Sequence, residues 1–508
     1  MSLRSLEDFL HTTKTVKKIE RIAIQERGFS VEQLMSRAST AVLEELFEEF
    51  GRPRNLTIFC GTGNNAGDGY LVAALAANEG ITVRVIEVGD RSKMSAEVCG
   101  ARLRALQTSA TLLDFCGGVE LDCGVIVDAL LGTGMRGELE QTYRQAIHQI
   151  NDASLPVIAV DVPSGLNADT GAVGDTSVVA DLTVTFVAPK RGLFTGRAPA
   201  CCGEIIWHSL ELPDVLYNDY APSAKLLNLD DLLDCLPTRA IDAHKSQLGH
   251  VMVVGGDNGY GGAAIMAAEA CLRVGAGLIT LATRPAHVAA MLVRQPEVMA
   301  TAVVSGQALE PLLTRVSVLV LGPGLGRSAW SEQLLQKALA ANLPTVMDAD
   351  ALNIIADGRI AIDTQATRWV MTPHPGEAAR LLNISVREVE ADRFSAVVKL
   401  RDKFAAAVIL KGPGSLVIGE SDGPIGICRY GNPGMASGGM GDILSGVIGA
   451  LLAQGMPLQA AAELGCCLHS SAADLAAQQT GQVGLAASDL LLQIRKLLNP
   501  EYSADAAV

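Results

Sequence analysis

Short apolar runs recur along the chain, each closed by glycine, serine or aspartate and followed by a stretch with helical spacing. The first series reads LTIFCGTG, TVRVIEVG, GVIVDALLGTG, PVIAVDVPSG and LTVTFVAPK. Continuously apolar runs of this length, separated by helices, predict strands of a mostly parallel sheet covered on both faces. The pattern falters over residues 210–237, where LELPDVLYNDYAPSAKLLNLDDLLDCLP carries prolines and acids and no clear strand. A second series follows with GHVMVVGG, GLITLATR, VSVLVLGPGLG, PTVMDADALN, RWVMTPHPGE and AAVILKGPGS. We therefore expect two α/β domains with a boundary near residues 215–227, the first taken as residues 1–220 and the second as 228–505. In open α/β sheets ligands sit beyond the carboxyl ends of the strands at the switch point, so the loops of each series should converge on one crevice.

Composition narrows the function. Of 508 residues, 49% are hydrophobic and 19% charged, which suits a folded globular chain. The formal net charge of −15 argues against nucleic acid and acidic membranes as partners, so phosphates would have to be held largely by backbone amides. Eleven cysteines include the adjacent pairs Cys201–Cys202 and Cys466–Cys467 but no CxxC, which predicts reduced thiols and a cytoplasmic protein. The first twenty residues lack the apolar core of a signal peptide, and no run reaches the roughly 18 apolar residues of a spanning helix.

In the first domain CGTGNNAGDGYLVAALAANEG follows a strand and opens a helix. Its glycines let amides approach a phosphate at the helix N-terminus, although a tight strand–helix connection would use them too. Asn64, Asn65 and Asp68 within it have little packing value and favour a site. Asp128 in VDALLGTGMRGE, and Asp161 with Ser164 in AVDVPSGLNADTG, add oxygens at two further strand ends. Either aspartate alone reads more readily as a helix N-cap. Together an amide oxygen, a carboxylate and a hydroxyl make a set for a hard cation, leaving the other acid for proton transfer.

GNNAGDG, DALLGTG and DVPSG, in this order, resemble the NAD(P)HX epimerase domain of the bifunctional NAD(P)H-hydrate repair enzymes, over roughly residues 15–215. The resemblance implies a Rossmann-like fold and a potassium ion held by Asn65, Asp128 and Ser164. It implies substrate contacts from Asn64, Asn65, Ala66, Gly67 and Asp68, from Gly132, Thr133, Gly134, Met135, Arg136, Gly137 and Glu138, and from Asp161. Asp161 is then the acid/base at the hydrated carbon of the nicotinamide ring. Ala66 stands where the family usually has glycine, a departure that matters if the backbone there needs a positive φ. The N-terminal helix KIERIAIQERGFSVEQLMSRAS is only loosely similar.

In the second domain GNPGMASGGMGDILSGVIGALLAQG crowds glycines around Asp442 ahead of an apolar helix. Such a turn forms an anion hole of amides. Asp442 repels a phosphate but can take a proton from a hydroxyl lying beside one, as in a small-molecule kinase; the alternative is an N-cap. LKGPGSLVIG offers Lys411 as a point charge and Gly412 and Gly414 as a cradle, and would equally turn a β-hairpin. TPHPGE pins His374 between prolines at a strand end, and GPGLG and NGYGGAAI are further small-residue loops.

These elements, with HKSQLGHVMVVGG and DADALN, resemble the ribokinase-like ADP-dependent NAD(P)HX dehydratases over residues 240–500. The resemblance implies that Lys411, Gly412, Pro413, Gly414, Ser415 and Gly441 bind ADP, and that Ala263, Gly324, His374 and Asp442 contact the hydrated dinucleotide. Asp442 would deprotonate the hydroxyl of the S-form, which takes phosphate from ADP with magnesium present and then loses it. The fused chain is expected to repair NADHX and NADPHX and to form a homo-oligomer. The alternative is a vitamin-type small-molecule kinase with a non-catalytic N-terminal binding domain.

Overall fold

Every apolar run of the first series forms a strand. A computed structural model describes residues 6–134, 138–362 and 368–499. The strands are Asn55–Cys60, Thr82–Glu87, Val125–Ala129, Val157–Val160 and Leu182–Phe186. Two strands not predicted, Thr111–Asp114 and Glu204–His208, close the two edges. All seven run parallel. Asn55–Cys60 lies between Thr82–Glu87 and Val125–Ala129, so the chain leaves it in one direction and returns on the other side. That reversal puts the switch point beyond Cys60 and Ala129.

The helix predicted near the start is two helices, Thr13–Arg27 and Val31–Phe50. Gly28 adopts φ 76° and ends the first, and Ser30 begins the second with a capping box to Gln33. The core of this unit gathers Ile19, Val42, Leu46, Ile58, Tyr70, Val72 and Val127. Ala66 lies buried inside the helix Asn64–Asn78 and has no positive φ, so the methyl that departs from the family pattern strains nothing in the backbone.

The chain divides into two units, Met1–Lys225 and Leu226–Val508. Within the stretch that showed no strand, residues Ala224–Leu226 form a short one. In the second unit neighbouring strands of the sheet are, in order, Ile425–Cys428, Ser415–Ile418, Ala407–Leu410, Trp369–Met371, Thr345–Met347, Val318–Leu321, His250–Val254, Leu278–Thr283 and, at the edge, Met299–Ala302, with Ala224–Leu226 next to Ile425–Cys428. Pairing is parallel from Ala407–Leu410 onward. The first two strands are antiparallel, so KGPG does turn a hairpin, with Gly412 at φ 140° and Gly414 at φ 59°.

The helix Met440–Ala453 is apolar all round because it is buried all round. Its glycines beyond Asp442 serve that packing. A Cβ on Gly446 would stand 2.2 Å from Ala267 O, and one on Gly449 would stand 2.4 Å from a Val320 methyl.

Candidate active sites

At the switch point of the first unit Asp128 and Ser164 are hydrogen-bonded to each other, and Leu131 links Ser164 to Asn65. Asp128 is the fourth residue of its strand, not a helix cap, and is fully buried. Its Oδ2 accepts from Ser164 N (2.7 Å), and its Oδ1 from Ser164 Oγ (2.6 Å) and Leu130 N (3.2 Å). Burial pushes its carboxyl up to about 6, with those bonds from Ser164 and Leu130 pulling the other way. Asn65 donates Nδ2 to Leu131 O (3.1 Å), while its buried Oδ1 has no hydrogen-bond partner. An orphaned amide oxygen beside a carboxylate and a hydroxyl is the surrounding a hard cation satisfies. Gly132 closes over the same residue, a Cβ there falling 3.3 Å from Asn65 Cβ.

Asp161 follows the next strand at φ 67°, a conformation that non-glycine residues seldom take. Its Oδ1 accepts from Thr185 Oγ1 (3.2 Å), Phe186 N (3.3 Å) and Lys190 Nζ. Lys190 is buried and also donates to Phe186 O (2.8 Å). The donors all converge on Oδ1, leaving Oδ2 unbonded among the described residues. Asp68, just beyond the first turn of the helix Asn64–Asn78, is pushed well above the usual carboxylate range by burial and then by the charges of Asp161 and Glu20. Glu20 is raised by burial and by Asp161, with Lys190 and Lys17 opposing.

Of the other residues implied for this site, Asn64 and Gly67 flank Asn65 in the same helical turn, and Thr133 and Gly134 continue from Gly132. Met135, Arg136 and Gly137 lie outside the described residues. Glu138 is exposed and faces Arg144 at 4.0 Å.

In the second unit the site forms beyond the strands Thr345–Met347, Trp369–Met371 and Ala407–Leu410. Lys411 donates Nζ to Asp348 Oδ1 (2.9 Å), and its backbone N–H donates to Pro373 O (2.9 Å). The wholly buried Arg393 holds the loop from behind, donating to Leu410 O and Lys411 O, both at 3.1 Å. Ser415 Oγ donates to Gly412 O (2.9 Å) and tightens the same turn.

The cap of the helix Met440–Ala453 is Gly439, at φ 94°, so Asp442 is not the N-cap but lies within the first turn. Burial first, then the charges of Asp348 and Asp350 push its carboxyl up to about 7, with Lys411 opposing. A Cβ on Gly441 would stand 3.2 Å from Lys411 Nζ, which places the ammonium directly beneath this turn.

His374 caps the helix Pro375–Leu382. Its Nδ1 accepts from Gly376 N (3.0 Å), and its half-exposed ring has Nε2 3.4 Å from Glu377 Oε1. Burial, then the charges of Lys411 and Arg380, hold it below the usual histidine range, with Asp348 opposing. Burial pushes the Glu377 carboxyl up to about 7. Gly324, at φ 57°, packs against the opposite loop; a Cβ there would meet Tyr260 O at 2.3 Å and Ala263 Cβ at 3.2 Å. Among the described residues no three His, Cys, Asp or Glu side chains gather as a metal cage.

Two family models match the chain in the same order as the units. Residues 31–192 match "YjeF-related protein N-terminus", and residues 251–496 match "NAD(P)H-hydrate dehydratase". A bifunctional NAD(P)H-hydrate repair enzyme from Coxiella burnetii is 46% identical over 491 residues, covering 97% of this chain and 99% of that one. The chain belongs to the bifunctional NAD(P)H-hydrate repair enzymes. A relative of the same name from Vibrio cholerae is 43% identical and covers 98% of this chain and all of its own. Among solved structures, a hypothetical protein from Streptococcus mutans aligns along its whole length with 55% of this chain, at a TM-score of 0.50 and 27% identity.

Set in that family, three residues at these sites escaped the sequence reading. Lys190 ends the run LTVTFVAPK, where its position after a strand was the available signal. Asp348 opens DADALN directly after a strand, as Asp161 follows its own, and the same pattern would have singled it out. Arg393 left no signal, because a buried arginine within a helix is disclosed only by packing.

Proposed function

We propose that the two units carry out successive steps on hydrated NADH and NADPH. The first interconverts the R and S epimers, and the second dehydrates the S form. In the first unit Asp161 acts as acid and base at the hydrated carbon, its Oδ1 fixed and its Oδ2 open to substrate. Residues 64–68 and 132–138, with their glycines, receive the dinucleotide at the helix N-terminus. Asn65, Asp128 and Ser164 would hold a potassium ion, for which the unpartnered Asn65 Oδ1 is the supporting observation. The ion, when bound, supplies a fixed positive charge at the switch point.

In the second unit Lys411, Gly412, Pro413, Gly414, Ser415 and Gly441 receive ADP, and Ala263, Gly324 and His374 receive the hydrate. Asp442 takes the proton of the ring hydroxyl, whose oxygen bonds to the β-phosphorus as the bond to AMP breaks. The C–O bond then breaks with its electron pair leaving on phosphate, and a proton leaves the neighbouring ring carbon to restore the double bond. Magnesium would enter on the diphosphate, which fits a site whose acids form no cage of their own among the described residues; it would neutralise charge on the transferring group. One observation carries this reading most directly: Asp442 stands behind the glycine turn and above Lys411, with a carboxyl poised near 7. Eleven free cysteines favour a cytoplasmic setting.

The test is to incubate the protein with mixed R and S hydrates of NADH, potassium, magnesium and ADP, and to follow the returning dihydronicotinamide absorbance. Complete recovery supports both assignments. Recovery of the S fraction alone sinks the epimerase assignment, and no recovery with ADP or ATP sinks the dehydratase.

A further inference from the structure

Asp348 is buried, and its carboxylate gathers three segments of the second unit. Oδ1 accepts from Lys411 Nζ (2.9 Å) and Thr372 Oγ1 (2.8 Å), and Oδ2 accepts from Ser445 Oγ (2.8 Å). Lys411 begins the hairpin loop proposed for the nucleotide. Thr372 follows the strand Trp369–Met371 on the way to His374. Ser445 lies one helical turn beyond Asp442. The backbone is fixed as firmly: Asp348 N donates to Leu321 O (3.0 Å), and Ala349 next to it holds φ 48°. A Cβ on Gly322 would fall 1.8 Å from Asp348 O, so this approach requires glycine on the neighbouring strand end. Lys411 forms an ion pair with Asp348 and, among the described residues, with no other acid.

We propose that Asp348 is a positioning residue of the dehydratase reaction, holding the Lys411 ammonium beside the nucleotide loop and off the Asp442 carboxylate. The proposal rests on the reading of this unit as an ADP-dependent dehydratase. The acids facing Lys411 are Asp348, Glu377 and Asp442. Released from the first, the ammonium would pair with the other two, and a salt-bridged Asp442 is a weaker base. The charged groups facing Asp442 are Asp348, Lys411 and Asp350. Asp348 therefore acts on the base twice, by occupying the lysine and by its own negative charge. Both effects favour an Asp442 that takes up a proton near neutrality.

Asp348→Asn keeps the shape and removes the charge. With S-form hydrate and ADP, kcat should fall on the order of tenfold, with a rise of about fivefold in the KM for ADP. The acid limb of the kcat profile should move down by about one pH unit, because Asp442 loses a like charge and gains the lysine. Thr372→Val and Ser445→Ala leave the charge in place and loosen its tether, so they should raise the KM for ADP without moving that limb. If Asp348→Asn shows the parent's limb and kcat and only a lower melting temperature, Asp348 is a structural residue and the proposal is overturned. If that variant does not fold, the Thr372→Val and Ser445→Ala pair decides, and an unchanged KM for ADP overturns the proposal. A parent protein without ADP-dependent turnover would instead sink the dehydratase reading itself, so the two failures are distinct.

Discussion

In the first unit the buried Lys190 pairs with Asp161, the aspartate proposed to exchange a proton with substrate; in the second, Lys411 pairs with Asp348 and the proposed base Asp442 is left outside the pair. The same two residue types thus do different work. An epimerase returns each proton it takes, so its acid/base residue gains from being held in one orientation with one oxygen open. A base that prepares a hydroxyl for phosphoryl transfer gains from a raised pKa, which a direct lysine contact would lower. On the proposed assignments the lysine serves orientation in one site; in the other it serves the nucleotide, and a second aspartate keeps it there.

The largest test of that contrast is Asp442→Asn. Dehydration of S-form hydrate should fall by about 10²–10⁴ while ADP still binds by calorimetry. In the parent, turnover should rise through pH 7 as Asp442, whose carboxyl lies at about 7, gives up its proton; a rate flat from pH 5 to 9 would remove it as the base. Asp161→Asn comes next. R-to-S conversion should drop on the order of 10²-fold, and the rate on pure S form should stay at the parent's value. Loss of both activities would break the division between the units.

A smaller effect is expected for Asn65→Ala, which should raise the potassium concentration needed for half-maximal epimerisation by about 10–100-fold and leave dehydration untouched. Equal activity without potassium would refute the cation site. The smallest effect is on stability. The folded-state pKa of Asp442 is raised above its unfolded value, so the folded protein binds that proton more tightly and the group costs stability as pH rises through about 7. Asp442→Asn should therefore stabilise the unliganded protein by about 1–3 kcal/mol at pH 8 and by almost nothing near pH 4. Denaturant titrations at both pH values would measure it, and the reverse ordering would contradict the assigned burial.

The sheets were legible because their strands are apolar on both faces, a signal that survives without any partner. The strands that went unread lie near sheet edges. Thr111–Asp114 is largely exposed, and Ser415–Ile418 follows Ala407–Leu410 across a four-residue turn whose glycines dominate the local pattern. Asn65, Asp128 and Ser164 were legible as a set because polar side chains among glycines have no packing use. The ion pairs were not, since Lys190 and Asp161 lie 29 residues apart and Lys411 and Asp348 lie 63 apart. Nothing local in a sequence states that two strand ends share a proton or a charge.

The glycines of the Asp442 helix bear on how freely this chain can drift. At Gly446 and Gly449 the helix touches a neighbouring backbone and a strand side chain with no space for a methyl group, and Gly465 receives it from a third direction, where a Cβ would stand 2.7 Å from Ile448. A single methyl at any of these places is a wedge whose thickness is comparable to the reach of a hydrogen bond. It would push the whole rod, and the carboxylate near its end would travel with it. Positions one and two turns from the chemistry are thus held to the tolerance of the chemistry, and a mutational map of this helix should show intolerance along its length rather than a peak at Asp442.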